Sequence, residues 1–95
     1  MKRYMLLHVG FEKPTPEMMS AWMTWFGAIA ERQVAQGGFA AGREVSRDGT
    51  RDLAWDSSAL TGYNIIEAES LDAATEIAMT CPFVSSIRIH ELRTK

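Results

Sequence analysis

The chain has 95 residues, 46% of them hydrophobic and 23% charged, with a formal net charge of −2. Such a composition belongs to one globular domain with a thin stability margin and excludes a disordered segment. Its 10 basic residues are scattered among 12 acidic ones, which excludes the clustered Lys and Arg of a nucleic-acid surface. Arg43, Arg47 and Arg51 form the one loose group and read as a solvated hairpin edge. The single cysteine, Cys81, rules out an intrachain disulfide, fits a reducing compartment and reads as a buried structural thiol. The N-terminal apolar run is too short for a bilayer and lacks a small-residue cleavage site, so a cytoplasmic protein with no membrane contact is expected.

Tyr4 to Val9 reads as a mostly buried strand ending at Gly10. Within it, Met5, Leu7 and Val9 form a uniformly apolar row expected to face the helices. Tyr4, Leu6 and His8 share the opposite phase. After a loop, Thr15-Pro16-Glu17 opens a helix, with Thr15 as cap and Pro16 at the first helical position. Apolar residues from Met18 to Val34 recur at spacings of three and four, which predicts a helix to about Gln36, stopped by Gly37-Gly38. The apolar stripe is wider than one sheet face requires, leaving core packing, a partner subunit or a ligand as reasons for its breadth.

Phe39 to Val45 reads as a second strand, Arg47-Asp48-Gly49-Thr50 as a turn, and Thr50 to Trp55 as a returning arm broken at Asp56-Ser57-Ser58. Tyr63 to Ala68 is a third core strand. Ser70 caps a short helix that Pro82 stops near Cys81. Ser85 to Leu92 alternates Ile87 and Ile89 against Arg88 and His90 and closes the chain as a strand. The order predicts an α+β, ferredoxin-like βαββαβ domain: an antiparallel sheet with two helices on one face. The bare face needs cover, and face-to-face homodimerisation supplies it.

With these elements placed, the chain resembles the YCII-related family of the dimeric α/β-barrel superfamily. The resemblance is carried by Tyr4-Met5-Leu6-Leu7, by Thr15-Pro16-Glu17-Met18-Met19 opening a tryptophan-rich helix, and by Gly37-Gly38-Phe39-Ala40-Ala41-Gly42. Its strongest piece runs from Gly62-Tyr63-Asn64-Ile65-Ile66 to Cys81-Pro82-Phe83. It implies one YCII-related domain over residues 1–95 and a small-molecule site in the cleft between the sheet and the long helix. Many relatives carry Asp-Gly-Pro-Phe before the third core strand, where this chain has Trp55-Asp56-Ser57-Ser58. Another branch pairs a first-helix histidine with an aspartate; here no histidine lies between Thr15 and Gln36, and Trp25 falls near that place. Some relatives are labelled dehydrogenases, but no Gly-x-Gly-x-x-Gly follows the first strand, so no nicotinamide or other cofactor is expected.

His8 and His90 are the only histidines and should lie toward opposite ends of their strand pair. The phase of His8 places it on the barrel side, where Asn64 of a parallel central neighbour could join it. A polar cluster of His8, Asn64, Asp56 and Arg88 in an apolar setting would suit a small carbonyl or aromatic ligand. His8 or Asp56 is the candidate general base, with Trp22, Trp25 and Trp55 lining the pocket. Two distant histidines and one cysteine form no metal-ligand spacing. The expected chemistry is cofactor-independent proton transfer on a carbonyl or lactone-like compound. The alternative is a non-catalytic dimeric module that binds a metabolite or a protein partner.

Overall fold

Lys2–Val9 form β1, a central strand of a four-stranded antiparallel sheet, in a computed structural model that describes residues 1–93. β1 pairs with β5 (Leu60–Ala68) on one side and β6 (Ser86–Glu91) on the other. β2 (Gln33–Gly38) covers the outer edge of β5, giving the order β2-β5-β1-β6. Helix α1 (Pro16–Ile29) begins as expected, with Thr15 Oγ1 accepting from the Met18 amide at 3.1 Å. Helix α2 (Leu71–Met79) has Ser70 Oγ accepting from the Ala73 amide at 3.1 Å. Each cap satisfies a first-turn N–H that the helix itself leaves without a partner.

The architecture is the α+β ferredoxin-like arrangement, with its core on one side of the sheet. Trp25 and Ile29 of α1 and Ala74 and Ala78 of α2 pack with Tyr4, Leu6, Ile66 and Ala68. Alanines on α2 let that short helix approach the sheet closely, while the aromatic residues of α1 fill the wider gap. Fully burying a side chain of the size of Leu6 or Ile66 stabilises the fold by roughly 1.5–3 kcal/mol.

The strand phase is the reverse of the expectation. Tyr4, Leu6 and His8 face the helices, with Tyr4 and Leu6 fully buried, and Met5 and Leu7 lie half-buried on the open face. Uniform apolarity misdirects here because Tyr and His carry aromatic bodies that pack well, while the open face is itself apolar. An irregularity between His8 and Val9 then lets Val9 be buried too.

β5 is antiparallel to β1, not parallel. The α1 crossover returns β2 in the direction of β1, and β5 runs against β2, so β5 must oppose β1 as well.

α1 also stops at Ile29, seven residues short of its expected end at Gln36, and the second strand begins at Gln33 rather than Phe39. The edge of β5 decides this. Its amides and carbonyls need partners, and the Glu67 amide donates to the Arg32 carbonyl at 2.9 Å as β2 takes up the ladder. Ile29, Ala30 and Val34 fit a helical row in sequence, yet pairing overrides that local preference. Phe39 adds one further bond, to the Thr61 carbonyl at 2.9 Å.

The expected hairpin arms form a separate two-stranded sheet, β3 (Arg43–Ser46) and β4 (Gly49–Asp52), turning at Gly49 with φ 126°. Exposed pairs Arg43–Asp52 (2.7 Å) and Glu44–Arg51 (3.1 Å) join its arms. No helix among the described residues is long and apolar enough to cross a membrane.

Candidate functional site

His8 sits near the end of β1, opposite Gly62 of β5 and Ile87 of β6. A Cβ at Gly62 would lie 2.8 Å from the Gly37 carbonyl oxygen, so close approach of β2 demands glycine there. The same missing side chain leaves room beside the imidazole. Two indoles of α1 stand edge-on to that ring: Trp22 at 5.1 Å and 84°, Trp25 at 5.9 Å and 88° between centroids and planes. Both come from one helix face because three residues make nearly one turn. Trp25 is pinned by its Nε1–H, which donates to Thr80 Oγ1 at 3.0 Å.

A polar chain crosses the sheet from the imidazole. Asn64 Nδ2 donates to Gln33 Oε1 at 2.7 Å, which leaves Asn64 Oδ1 as an acceptor. That oxygen lies 2.6 Å from His8 Nε2. The ring proton of neutral His8 is therefore on Nε2, and the lone pair is on Nδ1. Nδ1 is buried and has no hydrogen-bond partner among the described residues. Burial pushes the imidazole below its usual pKa, with the Asn64 hydrogen bond acting in the opposite, smaller sense. His8 is thus neutral at pH 7 and carries an unsatisfied buried base.

Two cavities meet at His8, Trp22 and Thr61. The first, of about 350 Å³, is walled by apolar side chains that include Phe11, Met18, Met23 and Phe83, with Glu12 at its border. The second, of about 440 Å³, lies toward β2 and is lined by Phe26, Gln36, Asn64 and the backbone of Gly37, Gly38 and Gly62. Among the described residues no three His, Cys, Asp or Glu side chains cluster as metal ligands.

His8, Asn64, Trp22 and Trp25 are therefore brought together, on the helix side of the sheet and not on its open face. Arg88 is not with them. It pairs with Leu7, so it lies on the open face, exposed. Asp56 is also apart: its exposed carboxylate accepts from the Ser58 amide at 2.9 Å and the Ser58 hydroxyl at 2.8 Å. Those hydrogen bonds, the backbone one foremost, hold its pKa below the usual carboxylate value. Its contact with the site is indirect, since its carbonyl accepts from the amide of cavity-lining Phe11 at 2.9 Å. Trp55 is 41% exposed and lies against that same Phe11, with ring centroids 5.4 Å apart. His90 pairs with Met5, three residues along β1 from His8, as expected. Gln33 and Gln36 escape sequence reasoning because they fall in the stretch that reads as helix.

A four-stranded antiparallel sheet in the order β2-β5-β1-β6 with both helices on one face defines the ferredoxin-like class. Residues 3–93 match the YCII-related domain, and the chain belongs to that family. Among solved structures the chain is similar to 5-chloro-2-hydroxyhydroquinone dehydrochlorinase from Burkholderia phenoliruptrix, determined in complex with 2,5-dihydroxybenzoquinone. The TM-score is 0.60 at 13% identity, covering 98% of this chain and 95% of that one, so what is shared is the fold. A search among curated proteins finds no match.

Proposed function

We propose that this chain is a cofactor-independent enzyme that moves a proton on a small carbonyl or lactone-like compound, with His8 as the general base. The observation that carries the reading is the neutral His8, its Nε2–H committed to Asn64 and its Nδ1 lone pair unpartnered where two cavities join. A carbon acid α to a carbonyl would lose its proton to Nδ1. The C–H electron pair passes into the carbonyl π system as an enolate, and the imidazolium keeps its Nε2–H bond to Asn64 Oδ1. Returning the proton to another carbon completes an isomerisation. His8 rather than Asp56 takes this role, because Asp56 is exposed and its charged form is already stabilised by Ser58.

Nδ1 is closed to solvent, so a substrate reaches it only after side chains packed around the imidazole, the half-buried Trp22 among them, give way. The same closure favours the second reading, a non-catalytic metabolite-binding or interaction module in which His8 is only packed. Deuterium uptake from D2O into an enolisable ketone separates the two. Native protein is expected to accelerate uptake with a pH profile that falls on the acid side, and His8→Gln is expected to lose it. No acceleration by native protein over a ketone panel sinks the catalytic reading.

The reading includes a homodimer through the open sheet face, where Met5, Leu7 and Ile65 lie half-buried side by side. It also includes a cytoplasmic setting, supported by the lone free Cys81. Sedimentation equilibrium tests the dimer, and a monomer at all concentrations refutes it.

A further inference from the structure

The two cavities differ in what they offer a ligand, and among the described residues neither offers a cation. Among the described residues no Lys or Arg lines either one. Lys13 sits between the lining residues Glu12 and Pro14 but is not itself part of the wall, and Arg88 is on the other side of the sheet. His8 is held neutral. Among the described residues the positive feature nearby is the start of α1, and it is already answered: Thr15 Oγ1 accepts from the Met18 amide, and Glu17 stands in the first turn. Glu12 adds a negative charge at the border of the first cavity.

Resting on the reading of His8 as the site, we infer that it takes an uncharged ligand with two unlike ends and rejects carboxylates and phosphates. The apolar body sits among Met18, Met23, Trp22 and Phe83, where flexible thioethers adapt to a ring and an indole edge packs against it. The polar end, a carbonyl or hydroxyl, lies in the second cavity against Gln36 and Thr61, which supply neutral donors and acceptors. The junction between the ends falls at His8, among the described residues the one titratable side chain that lines both cavities. An anionic end would lose its hydration there without gaining a counter-charge, and would meet Glu12 as well.

Acetophenone and benzoate test the charge rule, since they share a ring and a carbonyl and differ in a methyl against an anionic oxygen. Binding to the full chain is followed by NMR of the methionine ε-methyl groups of Met18, Met19 and Met23. Acetophenone is expected to shift them with a dissociation constant on the order of a millimolar, as its few heavy atoms allow, and benzoate about tenfold more weakly. Gln36→Arg, at an exposed position that does not disturb the core, is expected to tighten benzoate about tenfold and so erase the preference for the uncharged ligand. Benzoate binding native protein as well as acetophenone overturns the inference, and so does failure of both to shift the methyls up to their solubility limits. Benzoate left unimproved by Gln36→Arg overturns the placement of the polar end. Acetophenone that binds selectively but takes up no deuterium defeats the catalytic reading while leaving charge selection standing.

Discussion

Replacing Asn64 with leucine asks how far the polar chain behind His8 holds the site. Asn64 is 1% exposed and nearly isosteric with leucine, so packing is largely kept and the change reads chiefly on hydrogen bonding. Two groups lose their partner: the His8 Nε2–H, bonded at 2.6 Å, and Gln33 Oε1, bonded at 2.7 Å. Gln33 is half-buried and can turn its amide to water, so most of the cost falls on the imidazole. A buried donor left without an acceptor costs about 1–3 kcal/mol. We therefore expect Asn64→Leu to lose about 2 kcal/mol, or about 10 °C in Tm for a domain of this size. Urea unfolding followed by tryptophan fluorescence reads the first figure directly. Nitrogen chemical shifts of His8 should at the same time show the Nε2–H tautomer losing its preference, and the imidazole pKa should fall further. Asn64→Asp keeps the acceptor and adds a charge, so it should raise that pKa instead. A stability change under about 0.5 kcal/mol, or a tautomer unmoved in Asn64→Leu, refutes the chain as drawn.

Neighbouring residues of β1 should respond in opposite ways. Leu6→Asp puts a carboxylate into the fully buried core and should give unfolded or insoluble protein, whereas Leu7→Asp on the open face should stay folded; circular dichroism of the pair decides it. The folded pKa of His8 lies below its unfolded value of about 6.5, so the unfolded chain binds a proton in that window which the native chain does not. Stability should therefore fall as pH drops through about 6.5 and level off beneath the folded value, with His8→Gln removing that slope; urea midpoints across this range would falsify the assignment if they rose. Cys81, buried and pushed up to about 12, should resist thiol reagents in native protein and react only after unfolding, which an aromatic disulfide reagent measures by absorbance. Gly62→Ala brings a Cβ to 2.8 Å from the Gly37 carbonyl and should destabilise by roughly 1–3 kcal/mol, read from the shift in urea midpoint.

Local signals in the sequence were reliable where chemistry at one position decides the outcome. Thr15-Pro16, Ser70, Pro82 and Asp48-Gly49 marked caps and a turn that the fold uses, and the element order led to the ferredoxin-like arrangement. Decisions resting on distant partners were not legible. The end of α1 depends on the unpaired edge of β5, over thirty residues away along the chain, and no residue between Ile29 and Gln33 announces it. The face of β1 depends on which side the helices land, and a row containing Tyr and His competed there with a row of pure aliphatics. His8, Asn64, Trp22 and Trp25 stand out because rare side chains do so in any phase, but Trp55, Asp56 and Arg88 stand out for the same reason and lie apart from them. Gln33 and Gln36 were invisible until β2 was placed, since a glutamine has a role here only through what it faces.

The reversal of strand phase separates two roles that the sequence had merged. A His8 on the open face would have placed binding and dimerisation on one surface, so any change that broke the dimer would have emptied the site. With His8 under α1, the cavities are built from one chain's helix and sheet, and the open face is left to Met5, Leu7 and Ile65. Leu7 and His8 are adjacent in sequence yet face opposite sides of the sheet, because successive strand residues alternate. Leu7→Asp, which disrupts the proposed dimer face, should accordingly still bind acetophenone within about twofold of native protein, since only contacts across the sheet are altered. Loss of binding together with the dimer would mean that the partner copy completes the cleft, and the single-chain site would have to be abandoned.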